Sequence, residues 1–299
     1  MTSNLSVACI LILYNPDLIK FMPVIDSIKN QAGNIFLIDN SEHESRFDFS
    51  KYPNIKYIFL NRNTGIATAQ NIGIREAQKI KSQYIWLSDQ DTIYPENYLE
   101  IMVNIFKKNN TMNICSAAPA YFDTNKNALQ PFTLHQPFTK YFAPHTGVNL
   151  LSHSIASGMI IPTSILEIVG LMQDDLFIDT VDLEWCWRAK NIYGYQNVGN
   201  GDVVIKHTLG DGYVNFCRRK ISIHAPIRHY YMIRNAIHLS LYSKSTTKPM
   251  KIEIMVKALA WMFLFPLLAP QSKINHLKAT TLGFIHGMAN RLGPLNHKL

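Results

Sequence analysis

The 299-residue sequence predicts an α/β fold, with a mainly parallel sheet flanked by helices and a C-terminal helical extension. Short apolar segments alternate with amphipathic segments up to about residue 118, and the net positive charge is concentrated after residue 205. Such alternation favours a parallel sheet, because each crossover helix returns the chain to the same end of the sheet. With 47% hydrophobic and 17% charged residues, the chain has the composition of a globular protein, which excludes a disordered or fibrous one.

The predicted elements follow in order along the chain. The apolar run Val7–Leu13 is typical of a strand that is covered on both faces. Asn15, Pro16 and Asp17 then favour the start of a helix that runs to about Gln31, with Asn15 as its cap. Strands are expected at 34–38, 55–60, 84–87, 114–118 and 203–206, and helices at 64–81, 96–108 and from 181 onward.

Polar clusters follow the predicted strands at their carboxyl ends. In open parallel sheets, ligands bind beyond these ends, so we expect the clusters to meet at one edge. The sequence has no GxGxxG or GxxxxGK[ST] motif, which argues against a dinucleotide-dependent enzyme or a P-loop NTPase. The clusters are Tyr14-Asn15, Asp39-Asn40, Asn61-Arg62-Asn63 and Asp89-Gln90-Asp91.

Asp89 and Asp91 place two carboxylates two residues apart, directly after a buried strand. In an extended segment they point the same way, which predicts a site for Mg²⁺ or Mn²⁺ beside a diphosphate. The alternative is a turn with a helix cap. His207, after strand 203–206, is either a third metal ligand or a structural histidine. Asp39 either accepts a hydrogen bond from a pyrimidine N–H or closes an Asx-turn.

A second group of carboxylates lies at the start of the helix that begins near Val181. A carboxylate beside an acceptor hydroxyl acts as a general base, and we assign this role to Asp182, with Asp179 and Glu184 in support. The alternative is that Asp179 caps the helix and that Glu184 forms an i,i+4 pair with Arg188.

In order and spacing, these motifs resemble glycosyltransferase family 2, and within it the bacterial rhamnosyltransferases that use dTDP-L-rhamnose. The resemblance covers residues 5–243. It is carried by 7–15, Asp39-Asn40, Asn61-x-Asn63-x-Gly65, Asn71-x-Gly73, Asp89-Gln90-Asp91, Ser157-Gly158, Asp179-x-x-Asp182-x-Glu184-Trp185-x-x-Arg188, His207-x-x-Gly210 and Arg228-x-Tyr230-Tyr231-x-x-Arg234-Asn235.

The resemblance implies a GT-A fold and an inverting sugar transfer to a lipid-linked saccharide acceptor, in the synthesis of a cell-surface polysaccharide or O-antigen. Asp89, Asp91 and His207 would hold the metal. The family's Glu-Asp base motif falls on Val181-Asp182, so its glutamate is missing here. The donor-binding residues implied are Tyr14, Asn15, Asp39, Asn63, Gly65, Asn71, Asp89, Arg228 and Arg234.

The C-terminal part is basic and partly apolar. Residues 206–299 contain fourteen Lys or Arg residues against two acidic ones. The apolar stretch 258–270 is shorter than the roughly 20 residues that span a bilayer, and lysines flank it. We interpret residues 1–243 as the catalytic domain, with a nucleotide-binding half (1–118) and an acceptor half (119–243). For the tail, 244–299, two alternatives stay open. Either it lies in a membrane interface, or it packs on the catalytic domain or in a homodimer contact.

Three alternatives to this function remain open at the sequence level. The first is a glycosyltransferase of the same fold that uses another nucleotide sugar, such as a UDP-sugar. A nucleotidyltransferase is disfavoured because its Gly-rich basic signature does not follow the first strand. A non-catalytic membrane- or nucleic-acid-binding protein leaves the carboxylates unexplained, and we expect no nucleic-acid partner.

Without a basic start and a cleavage site before Val7–Leu13, we expect a cytoplasmic protein, peripheral at the inner face of the membrane.

Overall fold

The computed structural model describes residues 6–45, 47–207, 213–216 and 219–295. The strands are β1 (Val7–Leu13), β2 (Asn34–Asp39), β3 (Ile55–Phe59), β4 (Tyr84–Asp89), β5 (Ile114–Asp123), β6 (Ala128–Leu129), β7 (Phe132–His135), β8 (Thr139–Phe142), β9 (Val148–Leu151), β10 (Ile160–Pro162), β11 (Gln196–His207), β12 (Tyr213–Phe216) and β13 (Arg219–Ser222). The helices are α1 (Leu18–Ile28), α2 (Ile66–Lys79), α3 (Tyr98–Lys108), α4 (Thr163–Val169), α5 (Val181–Asn191), α6 (Pro226–Leu241), α7 (Lys248–Leu268) and α8 (Lys273–Met288).

The central sheet is mixed and mostly parallel, as predicted. Its strand order is β3-β2-β1-β4-β10-β5-β11-β9, with β6 paired to β5. The pairs β1–β2, β1–β4, β2–β3 and β5–β11 are parallel, whereas β10 runs antiparallel to both of its neighbours. The register sets Leu13 opposite Asp39 and Ile12 opposite Asp89. The carboxyl ends of β1, β2 and β4 therefore meet at one edge.

The start of the first helix differs from the prediction. Asp17 is the N-cap, and its carboxylate accepts a hydrogen bond from the backbone N–H of Ile19 at 3.1 Å. Asn15, the expected cap, has a left-handed backbone (φ 44°), and its N–H donates to Ser41 Oγ at 2.7 Å. Asn15 therefore turns the chain across the edge of the sheet before the helix begins. The helix also ends at Ile28, before the predicted Gln31.

Two strands are longer than the sequence pattern indicates. β5 continues to Asp123, and β11 begins at Gln196, seven residues before the predicted start at residue 203. Asn197, Gly199 and Asn200 interrupt the apolar pattern of β11, yet all three lie in the sheet. Asn197 is buried because its side chain bonds to Ser116 Oγ and to the backbone oxygen of Cys186. Such distant partners are not visible in a local pattern.

The core forms two apolar layers, one on each face of the sheet. Trp86 of β4 packs against Tyr98 of α3, with ring centroids 5.1 Å apart. On the opposite face, Ile10 of β1 and Trp185 of α5 belong to the second layer. The two layers fix the helices on both sides of the strands whose ends carry the polar clusters.

The three C-terminal helices pack on one another. A Cβ at Gly283 of α8 would lie 2.5 Å from the backbone oxygen of Tyr230 in α6, and one at Gly287 would lie 2.7 Å from that of Arg234. After α8 the chain returns toward the sheet, where the N–H of Gly293 donates to the backbone oxygen of Asp175 at 2.8 Å. No helix among the described residues combines the length and apolar character needed to cross a bilayer.

Candidate active site

A cavity of about 600 Å³ opens beyond the carboxyl ends of β1 and β4. Its size is in the range of small-molecule and cofactor pockets. It brings together nine of the residues selected from the sequence: Tyr14, Asn63, Gly65, Asp89, Asp91, Asp179, Asp182, His207 and Arg228. Five others lie outside the described lining: Asn15, Asp39, Asn71, Glu184 and Arg234.

Asp89, Asp91 and His207 form a cluster in this cavity. Each offers one ligand atom, and the three atoms lie within 4.8 Å of one another. His207 Nδ1 is 3.3 Å from Asp91 Oδ1 and 3.0 Å from Thr92 Oγ1. Ser157 Oγ donates a hydrogen bond to the Asp89 carboxylate. β4 and the turn after it supply the carboxylates and the end of β11 supplies the imidazole, so the sheet itself fixes the cluster.

The electrostatics of the cluster suit a cation. Burial raises the pKa of Asp89; the charge of His207 opposes this shift and the neighbouring Asp91 adds to it. Burial lowers the pKa of His207, but the hydrogen bond to Asp91 and the charges of Asp91 and Asp89 outweigh it, so the net shift is upward. Two carboxylates and one imidazole are a donor set that fits Mg²⁺ or, better, Mn²⁺. Residues 208–210 of the His-x-x-Gly segment lie outside the described residues.

Asp182 lies in the first turn of α5 and faces the same cavity. Its Oδ2 accepts a hydrogen bond from the N–H of Ala156, and its Oδ1 accepts one from the N–H of Leu183, both at 2.9 Å. Burial raises the pKa of Asp182 to about 6, although these hydrogen bonds favour the ionised form. A carboxylate with a pKa close to neutral is suited to accept a proton from a hydroxyl.

Asp179 and Arg228 form an ion pair on the wall of the cavity. Arg228 Nε is 3.2 Å from Asp179 Oδ2. Asp179 therefore does not cap α5, whose N-cap is Thr180. The guanidinium of Arg228 lines the same cavity as Asp89, and its charge opposes the upward shift of the Asp89 pKa.

Glu184 is buried and does not line the described cavity. Its carboxylate pairs with Arg188 at 3.0 Å, and Arg188 also donates to the backbone oxygens of Val169 and Leu171. Burial raises the pKa of Glu184, and the charge of Arg188 opposes that shift. The i,i+4 pair considered from the sequence is therefore present, with Glu184 buried and Arg188 half-buried.

A network of amides shapes the opposite wall. Asn63 Oδ1 accepts hydrogen bonds from the N–H of Gly65 at 3.0 Å and from Asn40 Nδ2 at 3.1 Å. Gly65 has φ 83°, and a Cβ there would lie 2.6 Å from Phe177, so the position requires glycine. The backbone of Tyr14 exchanges two hydrogen bonds with the side chain of Gln90, which ties this wall to the acidic cluster.

Asp39, Asn71 and Arg234 do not line the cavity, and each is hydrogen-bonded within the surrounding fold. Asp39 is fully buried; it accepts from the N–H of Ser41 in an Asx-turn and from Tyr57 Oη at 2.6 Å. Asn71 is also buried and bonds to the backbone of Met172 through both its oxygen and its amide nitrogen. Arg234 is buried as well, and its guanidinium donates to the backbone oxygens of 175, 176 and 293.

The loop between Leu176 and Val181 is strained, a feature that the sequence did not indicate. Phe177 has φ 64° and ψ −67°, and the N–H of Ile178 bonds to the oxygen of Leu176 at 2.7 Å, which closes a γ-turn. Asp179 and Thr180 follow with φ 65° and 60°. Such conformations cost about 1–3 kcal/mol each and cluster at functional sites. Ser157 and Asn235 carry the family resemblance, but their contacts with Asp89 and with this loop were not predicted, because only the tertiary fold reveals them.

Comparison with known sequences gives two full-length relatives. Residues 19–167 match the sequence model of the family described as "Glycosyl transferase family 2". The chain is 29% identical to the dTDP-rhamnosyl transferase RfbF of Shigella flexneri, over 97% of this chain and 98% of that one. It is 22% identical to the low-salt glycan biosynthesis hexosyltransferase Agl10 of Haloferax volcanii, over 90% and 89% of the two chains.

Solved structures share the fold. The S. aureus TarS 1–349 structure in complex with UDP-GlcNAc aligns with a TM-score of 0.59 at 13% identity, over 94% of this chain and 81% of that one. The structure of GalNAc-T7 with UDP, GalNAc and Mn²⁺ aligns with a TM-score of 0.58 at 13% identity, over 86% of this chain. This chain spans 55% of the GalNAc-T7 chain. Together with the sheet order, these findings show that the chain contains a glycosyltransferase family 2 domain with the GT-A fold.

Proposed function

We propose that this glycosyltransferase moves L-rhamnose from dTDP-L-rhamnose to a hydroxyl of a saccharide acceptor, with inversion at the anomeric carbon. The supporting observation is that Asp182, the acidic cluster and Arg228 open onto one cavity. A proton acceptor and groups that bind a diphosphate are thus available to the same bound donor. The end-to-end similarity to RfbF supports dTDP-L-rhamnose as that donor.

Each wall of the cavity has its own part in holding the donor. The wall formed by Tyr14, Asn63 and Gly65 would receive the nucleotide, with Asp39 fixing the turn behind it. Asp89, Asp91 and His207 would hold a divalent ion, which offsets negative charge on a diphosphate when bound.

The reaction is a single displacement. Asp182 accepts the proton of the acceptor hydroxyl while the hydroxyl oxygen bonds to the anomeric carbon and the bond from that carbon to dTDP breaks. Attack from the face opposite the leaving group inverts the anomeric centre. The guanidinium of Arg228, held by Asp179, stabilises the charge that develops on dTDP.

A donor panel tests this proposal. Release of nucleoside diphosphate is measured with Mn²⁺ for dTDP-L-rhamnose, dTDP-glucose, UDP-glucose and UDP-GlcNAc, and Asp182→Asn serves as a control for contaminating activity. We expect turnover to be fastest with dTDP-L-rhamnose. Preference for a UDP-sugar would overturn the donor assignment but keep the reaction. No turnover and no binding of dTDP or UDP would overturn the function itself.

We further propose that residues 244–299 dock on an anionic membrane surface at the inner face of the cell membrane, where a lipid-linked acceptor would be reached. α7 presents an exposed apolar stripe with a spacing of three or four residues, which falls on one face of a helix. The stripe consists of Ile252, Val256, Leu259, Phe263 and Leu267, of which Phe263 is 65% exposed. The exposed Ile274 and Leu277 of α8 belong to the same helical hairpin.

Charge supports a lipid surface as the partner. The lysines at 248, 251, 257, 273 and 278 flank the apolar stripe, and Glu253 is the single acidic residue in 244–299. Exposed apolar side chains with lysines on both sides in the sequence suit a helix that lies in the interface of an anionic bilayer. Removing the tail would uncover α6, since Gly283 and Gly287 pack directly on it, so point substitutions test this proposal better than truncation.

Co-sedimentation with vesicles tests the membrane contact. The double variant Phe263→Ser and Leu267→Ser is compared with Ile168→Ser, which alters a similarly exposed apolar residue on α4. With vesicles of phosphatidylcholine and phosphatidylglycerol, we expect the double variant to lose binding and Ile168→Ser to keep it. Equal binding of all three proteins would contradict the proposal. A wild-type dimer in solution that the double variant abolishes would assign the stripe to a second copy of the chain.

A further inference from the structure

The loop that carries Asp179 and leads into α5 has no regular secondary structure to hold it. Between Leu176 and Thr180, the residues Phe177, Asp179 and Thr180 all have positive φ. Because this segment lies in no strand, its backbone oxygens take no part in a sheet ladder. They must be satisfied by other groups, because buried carbonyls without partners are rare in proteins.

One side chain, whose amide nitrogen carries two hydrogens, lies within hydrogen-bond distance of three of them. Asn235, fully buried in α6, donates from Nδ2 to the backbone oxygens of Leu176 at 3.0 Å, Ile178 at 2.8 Å and Asp179 at 2.9 Å. Its Oδ1 accepts from Arg234 Nη2 at 2.8 Å and from Arg234 Nε at 3.0 Å. An amide is required here, since a carboxylate would accept from Arg234 but could not donate to carbonyls.

Arg234 extends the same network. Its Nη2 donates to the backbone oxygen of Leu176 at 2.9 Å, and its Nη1 donates to that of Gly293 beyond α8. The guanidinium lies 4.7 Å from the ring centroid of Tyr231, which stacks on Phe177 at 4.8 Å. The turn at Phe177 is thus held from its backbone and from its ring by the same part of α6.

We propose that Arg234 and Asn235 are positioning residues: they hold the strained segment 176–180 in the shape that directs Asp179 into the cavity and begins α5 at Val181, one residue before Asp182. This inference rests on the proposed function, in which Asp182 is the base. It gives Arg234 a positioning role in place of the donor-binding role that the resemblance implies. It also makes the segment after α8 a part of the support, since Gly293 and Leu295 bond to the same structure.

The test uses a near-isosteric change and a matched control. Asn235→Asp keeps the volume and the acceptor for Arg234 but removes the donors to the loop. Asn54→Asp makes the same change at an asparagine whose Nδ2 holds the backbone oxygens of Lys29 and Ala32, at the opposite end of the sheet from the cavity. We expect Asn235→Asp to lower kcat by about 10- to 100-fold with KM and Kd for the donor within about threefold, because a misplaced group loses rate without losing binding.

Amide hydrogen exchange provides a readout that does not depend on activity. We expect exchange in 176–182 to become faster in Asn235→Asp and to stay unchanged in Asn54→Asp, with the strands of the core protected in both. If Asn235→Asp does not fold, Asn235→Ala takes its place. Unchanged exchange in 176–182, or a kcat loss no greater than that of the control, would overturn the inference. If the wild-type chain turned over no donor, the proposed function would fail, and the exchange measurement would still decide the positioning role.

Discussion

Two opposing effects set the pKa of the Asp182 carboxyl. Burial disfavours its charge, and two backbone N–H groups favour it, with burial the larger effect. The resulting pKa of about 6 leaves the group mostly ionised at neutral pH while keeping it basic enough to take a proton in the transition state. An exposed aspartate, with an ordinary pKa near 3.9, would be a weaker base.

This balance predicts how activity depends on pH. We expect kcat/KM to fall about tenfold per pH unit below about pH 6, since the protonated carboxyl cannot accept a proton. Stability should respond in the opposite direction. The folded-state pKa lies above the unfolded one, so the stabilising contribution of this group is present at low pH and is lost as the pH rises through about 6. Steady-state kinetics and urea unfolding across this range measure both, and a flat rate profile would contradict the role of Asp182.

Individual residues show where sequence reasoning stops. The strand-end pattern predicted that Tyr14, Asn63 and the pair Asp89 and Asp91 meet, and they line one cavity, because the carboxyl ends of parallel strands share an edge. Asp39 follows its strand in the same way but is buried behind the wall, where Tyr57 satisfies it. A strand end does not reveal which polar side chain finds a buried partner. For the same reason, Arg234 resembles a phosphate contact in sequence but is bonded to backbone oxygens in the structure.

Among the elements, α8 packs closely on α6 through two glycines. Gly283 and Gly287 are four residues apart and lie on the face of α8 that meets α6. Their missing side chains let the two backbones approach closely. The position of α6, and with it Arg228 and Asn235, therefore depends on α8.

A methyl group at this contact should weaken the fold. We expect Gly283→Ala to lower the free energy of unfolding by about 1–3 kcal/mol, because its Cβ would lie 2.5 Å from the backbone oxygen of Tyr230. Gly33→Ala is the control, since the nearest atom to its Cβ, the oxygen of Val7, is 3.9 Å away, and we expect a change within about 0.5 kcal/mol. Equal stability of the two variants in urea unfolding would contradict the tight packing of α8 on α6.

Element prediction succeeded where the pattern was local and failed where partners were remote. The uninterrupted apolar run of β1 and the amphipathic α2 are visible in the sequence. The polar first half of β11 is not, because Asn197 is compatible with the sheet only through Ser116 and Cys186. The γ-turn at Phe177 has no sequence signal either, since glycine, the usual residue for positive φ, is absent there.

For the whole molecule, the site joins two parts of the fold that are distant in sequence. β4 and the turn after it supply Asp89 and Asp91. α5 and β11, more than 90 residues later, supply Asp182 and His207. Because the cluster exists only in the folded chain, any cation that it binds should stabilise the fold as a whole.

Divalent metal should therefore raise thermal stability. At about 100 times its Kd, Mn²⁺ would add about 2.7 kcal/mol to the free energy of unfolding. We expect a higher Tm in Mn²⁺ than in EDTA for the wild-type chain and a much smaller shift for Asp91→Asn, which lacks one ligand charge. Identical Tm values for the wild-type chain in Mn²⁺ and EDTA would contradict a metal site at this cluster.

The central claim, that Asp182 takes the acceptor proton beside a donor held in the same cavity, is tested most directly by comparing Asp182→Asn with the wild-type chain in a single-turnover transfer from dTDP-L-rhamnose. Calorimetry measures donor affinity in parallel. The account predicts a rate lower by about 10²–10⁴ with donor Kd within about threefold. A variant that transfers rhamnose within about threefold of the wild-type rate would contradict it.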